Sequence, residues 1–363
     1  MANKRITYYA QTMPGVEEIA WLEIKDKLPR AQFGEYQFAK DQNGIVIFHD
    51  DGPTADILQL RTTEDVFMQA LSVPKLSRGR RDLAQVTEWV QQGDVFGQSM
   101  NNYLRYRKFS GQPTYRVISR KYGKHEYRRK DLEQAVLKGL AKRYPRWQPV
   151  TDGGQVEVWV NLLGSSLLIG LRLTDKKMRH RFEKSVELPA SLRPSVAAAL
   201  VHLTQPEKDD VFVDPMCGSG TILLERLAAG PYRRLYGGDN VPERVEAAKQ
   251  NVFTRKQHIK AALIREWDAT DLPLNTYEVS KVATNLPFGK QLGTKGEIER
   301  LYPAFFAELG RVLKPNGRAV ILSSEFDLVK ESVRQQPKLE IVRGYSIAVL
   351  GYWGRIYIIE RGA

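Results

Sequence analysis

Four short stretches hold side chains that can do chemistry, and each follows a run of β-favouring residues. "VFVDPMCGSGTILLE", residues 211–225, ends its apolar run at Asp214 and turns through Pro215, Gly218 and Gly220 into a helix opening at Thr221. Glycines allow the backbone to approach a ligand closely, and the helix N-terminus favours an anionic group. The third glycine of the dinucleotide fingerprint is missing, because position 223 is Leu. A carboxylate at Asp214, directly before the turn, suits a cationic amine. "LYGGDN" places Asp239 and Asn240 at the end of the next run, where a carboxylate can take both hydroxyls of a ribose. Asp268 and Ala269 in "REWDATDLP" follow a third run. A carboxylate there either accepts from an adenine amino group or caps a turn.

The fourth stretch is "KVATNLPFGKQLG", residues 281–293, where the run stops at Asn285, Leu286, Pro287, Phe288 and Gly289. Pro287 restricts the backbone on either side of itself. The Asn285 side-chain oxygen and the Leu286 carbonyl can then converge on one planar amino group, with Phe288 stacked on its ring and Gly289 leaving room. Two acceptors draw the amine lone pair out of conjugation and aim it for in-line attack, so positioning carries most of the acceleration and no strong base is required. Ligands of open α/β sheets sit beyond the carboxyl ends of the strands. An amine acceptor, a ribose acceptor and an adenine edge in that order fit an amino acid joined to adenosine, which points to S-adenosyl-L-methionine.

The elements that must hold these residues follow from the pattern. Strand-like "VFVD", "RLYGGD", "KAALIRE", "KVATN" and "GRAVILSS" alternate with helical segments before a closing strand pair, "KLEIVRGYSIAVL" and "RIYIIER". That predicts, over residues 181–363, an α/β domain with a Rossmann-like, mostly parallel doubly wound sheet and an antiparallel last strand. Upstream, "RITYYAQ", "GVEEIAWLEIKDKL" and "NGIVIFHD" read as an α+β unit over residues 1–75. Residues 76–100 read as a linking helix. A strand ("PTYRVISRKYG"), a helix ("DLEQAVLKGLAKRY") and a hairpin turned at Gly164 complete a second unit, 76–180.

Composition narrows the class. A chain of 363 residues with 42% hydrophobic content is globular and long enough for more than one core. No apolar run approaches the ~20 residues that span a bilayer, and the first residues lack the apolar core of a signal peptide. A cytoplasmic protein without membrane contact, monomeric by default, is expected. Cys217 is the only cysteine and the five histidines are scattered, so no metal site is expected. Cys217 falls in the cofactor loop and reads as a small buried residue, which argues against covalent methylation of a pyrimidine carbon.

The net charge of +13 is concentrated: residues 101–147 hold 14 Lys and Arg against 3 Asp and Glu, interleaved with tyrosines. Such density attracts phosphate backbones by counterion release, and aromatics can stack on bases. The alternative is a solvated basic face with the tyrosines packed inside. Arg105, Arg107, Lys108, Arg120, Lys121, Lys124, Arg128, Arg129 and Lys130 are the candidate RNA contacts.

"DPMCGSGT", "NLPFGKQLG" and "LYPAFFAELGRVLKPNGRAVILSSE" resemble the class I, Rossmann-like THUMP-containing tRNA (guanine-N2)-methyltransferase family. "ELPASLRPSVAAALV" looks like that family's helix closing over the cofactor, and the N-terminal half is similar in plan to a ferredoxin-like domain followed by a THUMP domain. The resemblance implies S-adenosylmethionine-dependent methylation of guanosine N2 in tRNA, at position 6 of the acceptor stem, with the base flipped out of the helix. It implies that Asn285, Leu286, Pro287 and Phe288 hold the base. It also implies that Asp214, Gly218, Gly220, Thr221, Asp239, Asp268 and Ala269 hold the cofactor. Leu286 stands where many amino-methyltransferases have a proline, which fits the tRNA branch. On the residues alone, adenine N6, a guanine N2 in ribosomal RNA and a glutamine side chain share the same geometry. A catalytically silent RNA-binding protein or a dinucleotide dehydrogenase are rivals of other classes.

Overall fold

The computed structural model describes residues 5–38, 44–175, 181, 184–189, 191–253, 261–288, 295–349 and 351–363. Gly289 with the "KQLG" after it, and most of the charged connection around residues 176–183, lie outside the described residues. The chain forms two compact units, Met1–Thr12 with Trp21–Met178 and Met13–Ala20 with Arg179–Ala363.

The first unit contains β1 (Ile6–Thr12), α1 (Glu17–Lys27, which begins in the other unit), β2 (Gln32–Gln37), β3 (Gly44–Asp50), α2 (Thr54–Ile57) and β4 (Asp65–Val73). It continues with α3 (Arg81–Gln92), α4 (Asp94–Tyr106), β5 (Thr114–Tyr122), α5 (Arg129–Arg143), β6 (Gln148–Pro149), β7 (Val156–Leu163) and β8 (Ser166–Arg172). All eight strands make one sheet in the order β2-β3-β1-β4-β8-β7-β5-β6. Pairing of β4 with β8 carries it from the first of the expected N-terminal parts into the second. Its core centres on Tyr9, stacked on Phe67 at 4.6 Å, with Trp159 and Leu168. Gly170 makes room for the Tyr9 ring, since a Cβ there would lie 2.3 Å from it.

Two local differences from the sequence pattern have physical causes. The edge strand β2 leaves no alternating apolar signal because four of its six residues are exposed; backbone pairing to β3 makes the strand. The single helix expected over 76–100 is two, α3 and α4, broken at Gly93, whose backbone is extended and approaches the Trp89 carbonyl too closely for a Cβ.

The second unit follows the expected α/β plan. It contains α6 (Pro194–Leu203), β9 (Val211–Asp214), α7 (Thr221–Ala228), β10 (Arg234–Asp239), α8 (Pro242–Phe253), β11 (Ala262–Glu266) and β12 (Val279–Asn285). Then come α9 (Lys295–Val312), β13 (Leu313–Ser323), α10 (Phe326–Arg334), β14 (Leu339–Val349) and β15 (Tyr352–Arg361). The sheet order is β11-β10-β9-β12-β13-β15-β14, parallel from β11 to β13 and antiparallel at β15 and β14. All four residues of β9 are buried, as expected of a central parallel strand covered by helices on both faces. Leu286, Tyr302, Phe305, Phe306, Leu309 and Val320's neighbours Ala319 and Ile321 pack one face of the sheet against α9 and α10. Because β9 and β12 are adjacent and parallel, the ends that carry Asp214 and Asn285 open side by side.

Candidate active site

β9 delivers the Asp214 carboxyl to the sheet edge, 1% exposed. Its pKa is pushed up to about 7: burial is the main cause, the nearby Asp239 adds to it, and the Thr284 hydroxyl beside it and the hydrogen bond from the Met216 N–H oppose it. The loop beyond turns through two left-handed glycines, Gly218 (φ 51°) and Gly220 (φ 78°), the second being the N-cap of α7. A Cβ at Gly218 would meet nothing, because that side of the loop faces open space. Gly220 instead backs onto Ala248 and Val252 of α8.

Asp239, at the end of β10, holds this loop: its Oδ2 accepts the Gly218 N–H at 3.0 Å and its Oδ1 accepts from Val241 N–H and Arg244 Nη1. Cys217 N–H donates to the Gly238 carbonyl, and the buried thiol has its pKa driven up by desolvation. Trp267 Nε1 donates to the Pro215 carbonyl at 2.9 Å and lies flat against Gly238. Asp268 makes the turn that its residue type allows, its Oδ1 accepting from both the N–H and the hydroxyl of Thr270, and the side chain stays exposed.

At the end of β12 the Leu286 N–H still donates to the Leu322 carbonyl, continuing the ladder with β13, and the Leu286 side chain is buried. What Leu286 can present outward is therefore its backbone carbonyl. The Asn285 Oδ1 is buried and has no hydrogen-bond partner among the described residues. A buried acceptor without a donor costs about 1–3 kcal/mol, so this atom is poised for a donor from outside the chain. Pro287 and Phe288 follow, both half-buried.

These ends enclose one cavity of about 670 Å³. It is lined by Asp214, Pro215, Gly218, Thr221, Asp239, Asn240, Asp268, Ala269, Asn285, Leu286, Pro287 and Phe288. Of the thirteen candidate cofactor and base residues, Gly220 alone stands behind the wall. The fold also contributes residues that the sequence reading did not single out. Arg244 from α8 and Glu297, Ile298, Arg300, Leu301 and Ala304 from α9 line the same space. Of the stretch expected to close over the site, residues 187–201, the part within α6 does not line it. The stretch before it does, through Leu188, Pro189, Ser191 and Leu192. Ser191 Oγ lies 3.0 Å from Ser219 Oγ, and Lys184 Nζ donates to Thr221 Oγ1 at 2.5 Å. Asn251 ties Val186 to the Ser219 carbonyl, anchoring the stretch over the loop. No spacing signal marks these residues, because their partners are remote in sequence.

In the first unit the basic stretch is divided. Lys121, Lys124, Arg128, Arg129 and Lys130 lie at the carboxyl end of β5 and the start of α5; Arg105, Arg107 and Lys108 close α4 near Leu173, at the opposite end of the sheet. Arg107 donates to the Leu173 carbonyl, and Arg120 donates to Gln11 Oε1 and covers the Trp159 ring at 4.7 Å. Arg128 and Arg129 engage Asp131 and Glu133, whereas Arg105, Lys108, Lys124 and Lys130 point to solvent. Tyr103, Tyr115 and Tyr127 are buried, so these three pack the core. No group of His, Cys, Asp and Glu that could hold a metal occurs among the described residues, and none of their helices is long and apolar enough to cross a membrane.

Residues 181–345 match the family model of the RMKL-like methyltransferase domain, UPF0020. The chain is 33% identical over 198 residues to tRNA (guanine(6)-N(2))-methyltransferase THUMP3 of Mus musculus, covering 52% of this chain and 39% of the relative. The match thus spans about two fifths of the length of that curated relative. It is 29% identical over 264 residues to tRNA (guanine(6)-N2)-methyltransferase of Thermus thermophilus, covering 71% of this chain and 76% of the relative. The crystal structure of TrmN from Thermus thermophilus superposes with a TM-score of 0.78 at 24% identity, over 98% of this chain and 99% of that one. The family match makes residues 181–345 a methyltransferase domain, and the chain shares the fold of the TrmN structure.

Proposed function

We propose that this chain, whose residues 181–345 form a methyltransferase domain of the RMKL-like family, methylates the exocyclic N2 amine of a guanosine in tRNA. The nucleotide is position 6, the number printed in the names of the mouse and Thermus relatives, and its place in the acceptor stem is what the sequence resemblance implies. The observation that carries the reading is the unpartnered, buried Asn285 Oδ1 in the cavity that also holds Asp214 and the Gly218 turn.

The residues fit S-adenosylmethionine. A left-handed glycine turn open to the cavity admits its amino-acid end, the buried Asp214 offers a counter-charge for its ammonium, and Asp239 and Asp268 lie along the two neighbouring strand ends for ribose and adenine. Bound there, the cofactor supplies a methyl group activated by a sulfonium. Asn285 Oδ1 and the Leu286 carbonyl accept the two N–H bonds of the target amine and hold its lone pair in line. Phe288 stacks on the guanine, and Pro287 holds the two acceptors at a set angle. Positioning carries the step without a strong base, and the amine proton passes to solvent after transfer. A stem guanosine must leave the duplex to enter, at a cost of a few kcal/mol.

The first unit is proposed to be a ferredoxin-like domain (1–75) with a THUMP domain (76–180) that grips tRNA. Lys121, Lys124, Arg128, Arg129 and Lys130 form its phosphate-facing edge, and Arg105 and Lys108 a second contact. The test is methyl transfer from labelled cofactor to unmodified tRNA transcripts, with nucleosides resolved by mass spectrometry. N2-methylguanosine that disappears in Asn285→Ala while cofactor binding persists supports the reading. N6-methyladenosine would keep the geometry and overturn the base.

A further inference from the structure

The carboxyl edge of the second unit's sheet does not end at the cavity. β15 runs antiparallel to β13, so its beginning lies at that same edge: Leu322 is level with Asn285 on one side and with Ile356 on the other, and Ser323 pairs with Arg355. The first residues of β15 extend beyond this line, paired with the end of β14: Tyr352, 39% exposed, and Trp353, 59% exposed. Phe326, 39% exposed, opens α10 three residues after the end of β13, at the same edge. Three large aromatic residues are thus exposed along the sheet edge at which the cavity lies. Two cations belong to the same unit: Arg300 on α9 lines the cavity, and Arg355, over the Tyr357 ring at 5.7 Å, carries a buried Nε with no hydrogen-bond partner among the described residues.

From these placements we infer that the start of β15 is a stacking wedge for the substrate RNA, with Trp353 occupying the gap that the target nucleotide leaves when it swings into the Asn285 pocket. The inference rests on the proposed nucleic-acid substrate. Trp353 stands two strand spacings across from Asn285 and three residues outward from Ile356, roughly 10 Å in each direction at sheet dimensions. A base held at Asn285 leaves its neighbours in the helix within that reach. An indole has the area to replace one base in a stack, and its single N–H donor lies at the ring edge, within reach of water. Inserted apolar side chains of this kind offset the unstacking cost of nucleotide extrusion, and base–aromatic stacking is sequence-tolerant.

The test compares wild type, Trp353→Ala and Trp353→Phe in the full chain on two RNA hairpins. One has the target guanosine paired; in the other it faces an abasic site. A wedge predicts at least a tenfold loss of kcat/KM for Trp353→Ala on the paired hairpin, less than twofold on the unpaired one, and near-complete rescue by Phe. A 2-aminopurine in place of the target guanine should brighten on binding wild type, as it leaves the stack, and stay dark with Trp353→Ala. Equal loss on both hairpins, or no loss, overturns the inference. So does a change in solution mass between wild type and Trp353→Ala, which would make this face a contact between copies. If wild type methylates neither hairpin, the underlying reading fails, and the 2-aminopurine signal still decides the wedge.

Discussion

The Tyr302 hydroxyl donates to the Pro287 carbonyl at 3.0 Å and lies 2.8 Å from Ser323 Oγ, which in turn accepts the Glu325 N–H. One phenol, fully buried in α9, thereby ties the loop after β12 to the end of β13. Burial drives its pKa up, so it stays a neutral donor. Tyr302→Phe keeps the packing and strands the Pro287 carbonyl. We expect stability to fall by about 1–3 kcal/mol and kcat by about tenfold, because the Asn285 and Leu286 acceptors lose their frame. Cofactor affinity, measured by calorimetry, should hold, since Tyr302 touches none of the cofactor-facing residues. An unchanged kcat would mean that the loop keeps its geometry without α9.

Asp214 gives a pH signature. Its pKa is raised in the folded chain, mainly by burial, from the ordinary aspartate value of 3.8 to about 7. Between these values the folded state retains a proton that the unfolded state has lost. Stability from this group is therefore present below about pH 4 and declines as pH rises through 7. A bound ammonium group favours the ionised carboxylate. The thermal shift produced by cofactor should thus grow from pH 6 to pH 8. Asp214→Asn should flatten both trends in a melting series, and a shift that shrinks with pH would show that the amine binds elsewhere.

Gly238 is where Trp267 approaches the sheet. A Cβ at that position would lie 1.9 Å from the indole, so Gly238→Ala must displace the ring that donates to Pro215. Overpacking of this kind costs about 1–3 kcal/mol. Denaturant melts should show that loss, together with weaker cofactor binding because the 214–218 loop shifts.

The basic residues separate into two classes by what they touch. Lys124 and Lys130 are solvent-exposed. Replacing both by Ala should leave the melting temperature unchanged, weaken tRNA binding across sequences, and lower the slope of log affinity against log salt by about two, one for each lost phosphate contact. Arg107 and Arg120 tie the first unit together. Their replacement should lower the melting temperature before it alters the salt slope.

The strand ends were legible in the sequence because each combines a β-favouring run with a residue of special chemistry: Asp214 before two glycines, Asp239 after "LYGG", Asn285 before Pro287. The same logic missed β2, whose exposed edge residues carry no alternation, and merged α3 with α4, because one glycine at position 93 does not announce a break. It also treated residues 101–147 as one basic block, which the fold divides between the two ends of a strand.

Residue type and local spacing by themselves determined the α/β class, the order of the strands along the chain, and which side chains stand at strand ends, since these depend on contacts between near neighbours. Only the tertiary structure decided that β9 and β12 are adjacent although two strands separate them in the chain. It alone aligned Trp353 with Asn285 along one edge. Strand order and register are set by packing and hydrogen bonds between distant segments, and those energies are not written in any local stretch.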